Sequence, residues 1–375
     1  MDNDILNSRS EIRIEIREIR DGNMQKSNGS KVTMGDVARI ANVSKSTVSH
    51  VLNDTKHVST KTRNKILKVI EETGYTPNLV AKALKKSETK TIGLVISDIQ
   101  NQFFIDVIKA ISDACIENNY TVFLADSNDN ARRELEIVQS FCERCVDGFI
   151  LSPTTESEKY VGKYVKERNI PIVYIDRMLG ADGDWVGSEN EKSMEKMTDH
   201  LISLGHQRIA FVAGLRNIST TEERIRGYRN SLEKSGIAYD ESLVIEGESR
   251  SVPTEKRTID IVQKMASRAD RPTAIIAANN LMVLGVMKAL DSLDIKVPEE
   301  MAVAAFDDCE WAALFHPGLT TIAQPCKEIG QKAAELLIDR IRHGTGAPQR
   351  IYFQTDLIVR ESCGAKLDKS TGKEV

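Results

Sequence analysis

Long apolar runs are missing from this 375-residue chain. No stretch approaches the ~20 consecutive apolar residues that a membrane-spanning helix needs, and no basic-plus-apolar leader opens the sequence. Both absences predict a cytoplasmic protein with no membrane role. Cysteine is sparse: six residues, Cys115, Cys142, Cys145, Cys309, Cys326 and Cys363, lie scattered along the chain, as expected of reduced packing residues in a reducing compartment. Cys142 and Cys145 have the spacing of a redox or zinc pair, but no second Cys or His pair stands near them, so no metal is expected. No glycine-rich phosphate loop follows any apolar run, and no Ser/His/Asp constellation is evident. His200 and His206 flank a helix end, where they read as cap or packing residues. Enzymatic chemistry and a cofactor are therefore not expected.

Charge is present but unevenly spread. The net charge is −4, which by itself argues against a nucleic-acid partner. From Lys31 to Lys90, however, 12 Lys/Arg stand against 5 Asp/Glu, a local net of +7 that leaves −11 for the rest. Attraction for phosphates is thus concentrated at one end. In this basic stretch Met34, Val37, Ala38 and Ala41 give a short helix one apolar face. Asn42-Val43-Ser44 breaks it, because Asn enters a left-handed turn cheaply and Ser44 can cap a second helix, Lys45–Leu52. That helix turns Val48, Val51 and Leu52 inward and leaves Lys45, Ser46, Ser49, His50 and Asn53 outward, able to reach base edges and phosphates. A third helix, capped by Ser59 or Thr60, is expected to bury Ile66, Leu67 and Ile70 and to end near Gly74. This is the frame of a helix-turn-helix.

Val37-Ala38, Val43-Ser44, Thr47-Val48-Ser49, Val51-Leu52-Asn53, Val58-Ser59, Thr62-Arg63 and Gly74-Tyr75-Thr76-Pro77-Asn78, with Ala81 and Leu84, resemble the headpiece of the lactose-repressor and galactose-repressor family. The resemblance implies a homodimer on a pseudo-palindromic double-stranded operator. It assigns DNA contacts to Thr33, Lys45, Ser46, Thr47, Ser49, His50 and Asn53, and to Asn78, Ala81, Leu84 and Lys85 of a hinge helix. In that hinge, Leu84 would wedge into the minor groove beside Lys85; an apolar side chain next to lysines suits unstacking a base step. His50 stands where the family commonly has arginine, and Gly35 replaces a larger residue.

After Lys90, compact apolar runs alternate with amphipathic helices, the pattern of parallel sheets covered on both faces. Strands are expected at Thr91–Ile96, Thr121–Ala125, Gly148–Leu151, Ile172–Ile175, Arg208–Val212, Val244–Gly247, Ala274–Ala278, Ala302–Phe306 and Ile351–Ile358. The fold expected is an all-α helix-turn-helix headpiece plus an α/β two-lobed body of two doubly wound parallel sheets, resembling periplasmic sugar-binding proteins. The domain bounds follow: 1–30 an extension, 31–75 the headpiece, 76–90 the hinge and linker, 91–361 the effector-binding and dimerisation body, and 362–375 a tail. Residues 11–20 alternate apolar and charged residues without an evident strand partner, and translation from Met24 instead of Met1 is a second reading. The polar tail lacks leucine heptads, which favours a dimer over a tetramer.

Polar clusters just after the strands should converge on a cleft between the lobes. By resemblance, Asn101, Phe104, Asp176, Arg177, Arg224, Asn279, Asp307 and Gln324 line it, with Phe103 beside them. Carboxylates and amides pair with hydroxyls, arginine supplies a fork of donors, and an aromatic ring stacks on a sugar face. A sugar-like effector is expected, and two arginines keep a sugar acid or sugar phosphate open. Asn280 and Asp308 depart from the Asp and Gly often seen in sugar binders. The function read from the sequence is a DNA-binding transcriptional regulator, a repressor, of a carbohydrate operon. A purine or a phosphorylated carrier protein remains an alternative signal; a solute-binding protein or α/β enzyme is more remote.

Overall fold

The computed structural model describes residues 32–76, 88–180, 183–247, 254–344 and 346–365. These fall into two compact units divided between Thr89 and Lys90. The hinge candidates Asn78, Ala81, Leu84 and Lys85, and the alternating segment 11–20, lie outside the described residues.

Among the described residues the first unit holds three helices: α1 (Met34–Ile40), α2 (Lys45–Asn53) and α3 (Thr60–Thr73). Asn42, at φ 49°, makes the left-handed turn between α1 and α2, and Gly74, at φ 63°, ends α3. Val37, Ala38, Ile40, Ala41, Val48, Val51, Ile66, Val69 and Tyr75 form the core, with Leu52 and Ile70 partly buried against it. The expected inward face of α3 needs one correction. Leu67 is 46% exposed and Val69 takes the buried place, because the stripe follows Ile66, Val69 and Ile70 at spacings of three and four.

In the second unit, β1 (Thr91–Ile96), β2 (Thr121–Asp126), β3 (Gly148–Leu151), β4 (Ile172–Ile175), β5 (Asp184–Ser188) and β11 (Arg350–Phe353) make the first lobe's sheet, in the order β11-β5-β4-β3-β1-β2. All its pairings are parallel. The second lobe's sheet runs β12-β10-β9-β8-β6-β7, from β6 (Ile209–Ala213), β7 (Val244–Glu246), β8 (Ala274–Ala277), β9 (Ala302–Phe306), β10 (Thr320–Ala323) and β12 (Asp356–Ile358). Here only the β10–β12 pair is antiparallel. The helices are α4 (Gln102–Glu117), α5 (Ala131–Glu143), α6 (Lys163–Glu167), α7 (Asn190–Ser203), α8 (Ser219–Lys234), α9 (Thr254–Ala266), α10 (Asn280–Ser292) and α11 (Cys326–His343).

Three expectations change. Strands β5 and β10 were not foreseen, and the single last strand is in fact two, β11 and β12, one in each lobe's sheet. The chain passes between lobes three times: after Ser188, after Ala323 and between Phe353 and Asp356. Helices pack closely where a glycine removes a side chain. A Cβ on Gly227 of α8 would lie 2.2 Å from the Glu191 carbonyl oxygen of α7, and one on Gly330 of α11 would lie 2.6 Å from the Val107 carbonyl oxygen of α4. Among the described residues no helix is long and apolar enough to cross a membrane.

Candidate functional site

In the first unit the outward side chains of α2 are partly committed to its own structure. Ser44 caps the helix by accepting the Thr47 N–H at 3.1 Å, and its hydroxyl also meets those of Ser46 at 2.7 Å and Thr47 at 2.8 Å. Asn53 donates to the Ser49 carbonyl at 2.9 Å, and His50 Nδ1 shares a hydrogen bond with the Thr55 hydroxyl at 2.9 Å. Thr33 caps α1 in a reciprocal box with Asp36, which lowers the Asp36 pKa. Lys45 is exposed, and its Cε lies 2.9 Å from where a Gly35 Cβ would stand, so the absent side chain gives the lysine stem its path across α1. Lys45, Ser46, Ser49 and His50 thus sit on one capped helix at the first unit's surface, a geometry that fits a major groove.

The second unit carries a small cleft of about 60 Å³, partly open to solvent. It brings together all nine residues singled out from the sequence: Asn101, Phe103, Phe104, Asp176 and Arg177 from the first lobe, Arg224, Asn279 and Asp307 from the second, and Gln324 at a crossover. Ser97, Asp98, Thr220 and Thr221 join them, although sequence reasoning did not pick them out as ligands. The two threonines open α8, and a polar first turn facing the strand ends was the available signal.

Asp176 and Asp307 end β4 and β9 in left-handed conformations, φ 59° and 70°, which aspartate tolerates better than most residues. Burial pushes Asp176 up to about 6 against the pull of Arg177 and Arg224, with Asp307 and Glu223 adding to the rise. Burial raises Asp307 as well, opposed by Arg224 and by a 2.7 Å hydrogen bond from Gln324 Nε2. Asp98 is raised by the same cause.

The arginines are held by the protein itself. Arg177 Nη1 donates to Asp129 at 2.7 Å and to the Pro153 carbonyl at 3.3 Å. Arg224 lies in the second turn of α8 rather than at its opening. It donates to Asn190 Oδ1 at 2.9 Å and the Ala278 carbonyl at 2.6 Å, with its guanidinium 3.8 Å over the Phe306 ring. Asn190, which sequence reasoning missed, is fixed in turn by donating to Glu223 at 3.0 Å and to the Ser188 carbonyl at 3.2 Å. Phe103 and Phe104 meet edge to face with centroids 5.1 Å apart.

Hydrogen bonds join the lobes beside the cleft, among them Asn280 Nδ2 to Asn101 Oδ1 at 2.8 Å and Met178 N–H to the Ser219 hydroxyl at 2.8 Å. Asp308, the other departure noted in the sequence, faces away from effector chemistry. Its carboxylate takes two bonds from Arg360, at 2.7 and 3.2 Å, and one from Thr321 at 2.6 Å.

A basic helix-turn-helix unit followed by a two-lobed body with a polar cleft defines a class: DNA-binding regulators governed by a small molecule. Comparison with known proteins agrees. The profile described as bacterial regulatory proteins, lacI family, matches residues 33–78, and that of the periplasmic binding protein-like domain matches residues 198–363. The HTH-type transcriptional repressor PurR of Vibrio vulnificus (strain CMCP6) is 31% identical over 331 residues, covering 88% of this chain and 98% of that protein. Its counterpart in Vibrio campbellii (strain ATCC BAA-1116) is 32% identical over the same length and shares of both chains. Among solved structures, the transcriptional regulator CelR–cellobiose complex is 31% identical with a TM-score of 0.67, covering 88% of this chain and 99% of that one. The Lac repressor dimer bound to operator and the anti-inducer ONPF is 26% identical with a TM-score of 0.79, covering 89% and 99%.

The chain belongs to the LacI family of DNA-binding transcriptional repressors. Members are not enzymes; they bind operators, act as dimers and answer to small-molecule effectors.

Proposed function

We propose that this repressor is governed by a small, neutral, polyhydroxylated effector held in the cleft, and that its operon serves carbohydrate uptake or catabolism. The observation that carries the reading is the engagement of both arginines. Arg177 is matched by Asp129, and Arg224 is bonded to Asn190 and Ala278 and stacked on Phe306, while Asp98, Asp176 and Asp307 line the same space. A carboxylate or phosphate would meet three acidic groups and two arginines that already donate to protein acceptors, whereas hydroxyls can donate to the carboxylates and accept from the amides and threonines. Cellobiose bound to a 31%-identical regulator supports a sugar.

In this reading α2 of each protomer enters a major groove through Lys45, Ser46, Ser49 and His50, with Thr33, Thr47 and Asn53 holding its frame and its phosphate register. Asn78, Ala81, Leu84 and Lys85 complete the operator contact as the hinge proposed from the sequence. Ile105 and Ile116 of α4 and Leu124 of the edge strand β2 are 43%, 65% and 41% exposed, and support a self-association face on the first lobe.

A thermal-shift panel of neutral mono- and disaccharides, sugar acids, sugar phosphates and purines tests the effector. A neutral sugar should raise the melting temperature of the wild type and not that of an Asp307→Ala, Arg224→Ala double variant. A shift given only by phosphorylated sugars or by purines would overturn the reading.

A further inference from the structure

Asn101 caps α4, and its Oδ1 accepts the Phe103 N–H at 2.9 Å. Only the oxygen of an amide can do this, so the orientation of the Asn101 side chain is fixed by its duty as a cap. The same oxygen takes a second hydrogen bond, at 2.8 Å, from Nδ2 of Asn280 in the other lobe. Asn280 is 2% exposed and opens α10, and its backbone favours the charged form of the Asp307 carboxylate. One residue therefore acts on an acidic group of the cleft through its backbone and meets the opposite lobe through its side chain.

We propose that Asn280 is the donor half of an interlobe latch, a positioning residue that holds the two lobes together beside the cleft. The latch also leaves Nδ2 as the polar group that Asn101 can offer a ligand, so this position contributes a donor to recognition.

The pair has a polarity. An aspartate at position 101 would still cap α4 and still accept from Asn280, because aspartate is as good a helix cap as asparagine. An aspartate at position 280 has no proton to give, and would bring a carboxylate against the Asn101 carbonyl and near Asp307. A residue that merely filled space would not distinguish the two substitutions.

Hydrogen–deuterium exchange of the full-length, ligand-free protein reads the difference in two peptides, 98–105 in the first lobe and 276–284 in the second. Asn280→Asp should speed exchange in both, by about fivefold or more, the scale of one lost hydrogen bond. Asn101→Asp should leave both at the wild-type rate, and the double variant should exchange faster than Asn280→Asp alone. Equal acceleration by the two single variants would overturn the latch. So would an Asn280→Asp effect confined to 276–284. If Asn280→Asp loses its cooperative thermal transition, Asn280→Ala carries the same test, since it removes the donor without adding charge and must still accelerate 98–105; an unchanged rate there refutes the proposal. No effector enters the experiment, so its outcome is independent of the sugar reading.

Discussion

Asp176 carries the clearest consequence of a single side chain. Its folded pKa, about 6, lies above the 3.8 of an ordinary aspartate, so between those values the folded protein binds more protons than the unfolded chain. Stability then falls as pH rises through this window: the favourable contribution is complete below about pH 4 and lost above about pH 6. Asp176→Asn should therefore be the more stable protein at pH 7, by about 3 kcal/mol, with the difference shrinking towards pH 4; urea midpoints at the two pH values measure it. The same titration predicts that affinity for a hydroxylated effector weakens below pH 6, as Asp176 gains a proton and loses acceptor capacity. Isothermal titration at pH 5 and 7.5 with the sugar that gives a thermal shift checks this, and equal affinities would count against Asp176 as an acceptor. Nine cleft residues were legible in the sequence because each polar cluster followed an apolar run and matched a familiar pattern. Asn190 was not, since it orients Arg224 from behind and follows a strand that had gone unread. Asn190→Ala should cost about tenfold in effector affinity, by leaving Arg224 Nε without its acceptor.

At the scale of elements, the errors have a common physical source. Strand β5 reads Asp-Trp-Val-Gly-Ser, short and with Gly183 just before it and Gly187 within it, so propensity favours a turn; pairing with β4 and β11 on either side makes it a strand. Gln354-Thr355 looked like strand interior because nothing local marks a passage between two sheets. The opening ends of β5 and β11 are pinned by Arg340 of α11, which grips Asp184 with two bonds, at 2.7 and 2.9 Å, while Asp184 also accepts the Gln349 N–H at 2.8 Å. Both side chains are about nine-tenths buried, at 8% and 10% exposure. Removing one partner leaves the other charge stranded, so Arg340→Ala should cost about 3–5 kcal/mol in urea unfolding, whereas the apolar double replacement Arg340→Met, Asp184→Leu should recover much of that loss. A double variant no more stable than the single one would contradict this assignment.

For the whole molecule, charge asymmetry made the organisation readable before any fold was seen: a basic front followed by an acidic body. What the sequence could not convey was that the cleft's arginines are already partnered, since those bonds run from Arg177 to Asp129 and from Arg224 to Asn190, far apart in the chain. Operator affinity should fall steeply with salt: if a dimer neutralises about six to ten phosphates, it loses about 10³-fold or more between 50 and 200 mM. A flat salt dependence would remove the electrostatic basis of the headpiece reading. The most direct test is fluorescence anisotropy at about 0.15 M salt, comparing a palindromic duplex selected from a random pool with the same bases scrambled. The account expects the selected duplex to bind at least ~10³-fold more tightly, with an advantage that changes when the cleft's effector is added. Equal affinity for the two duplexes, with and without the effector, would contradict it.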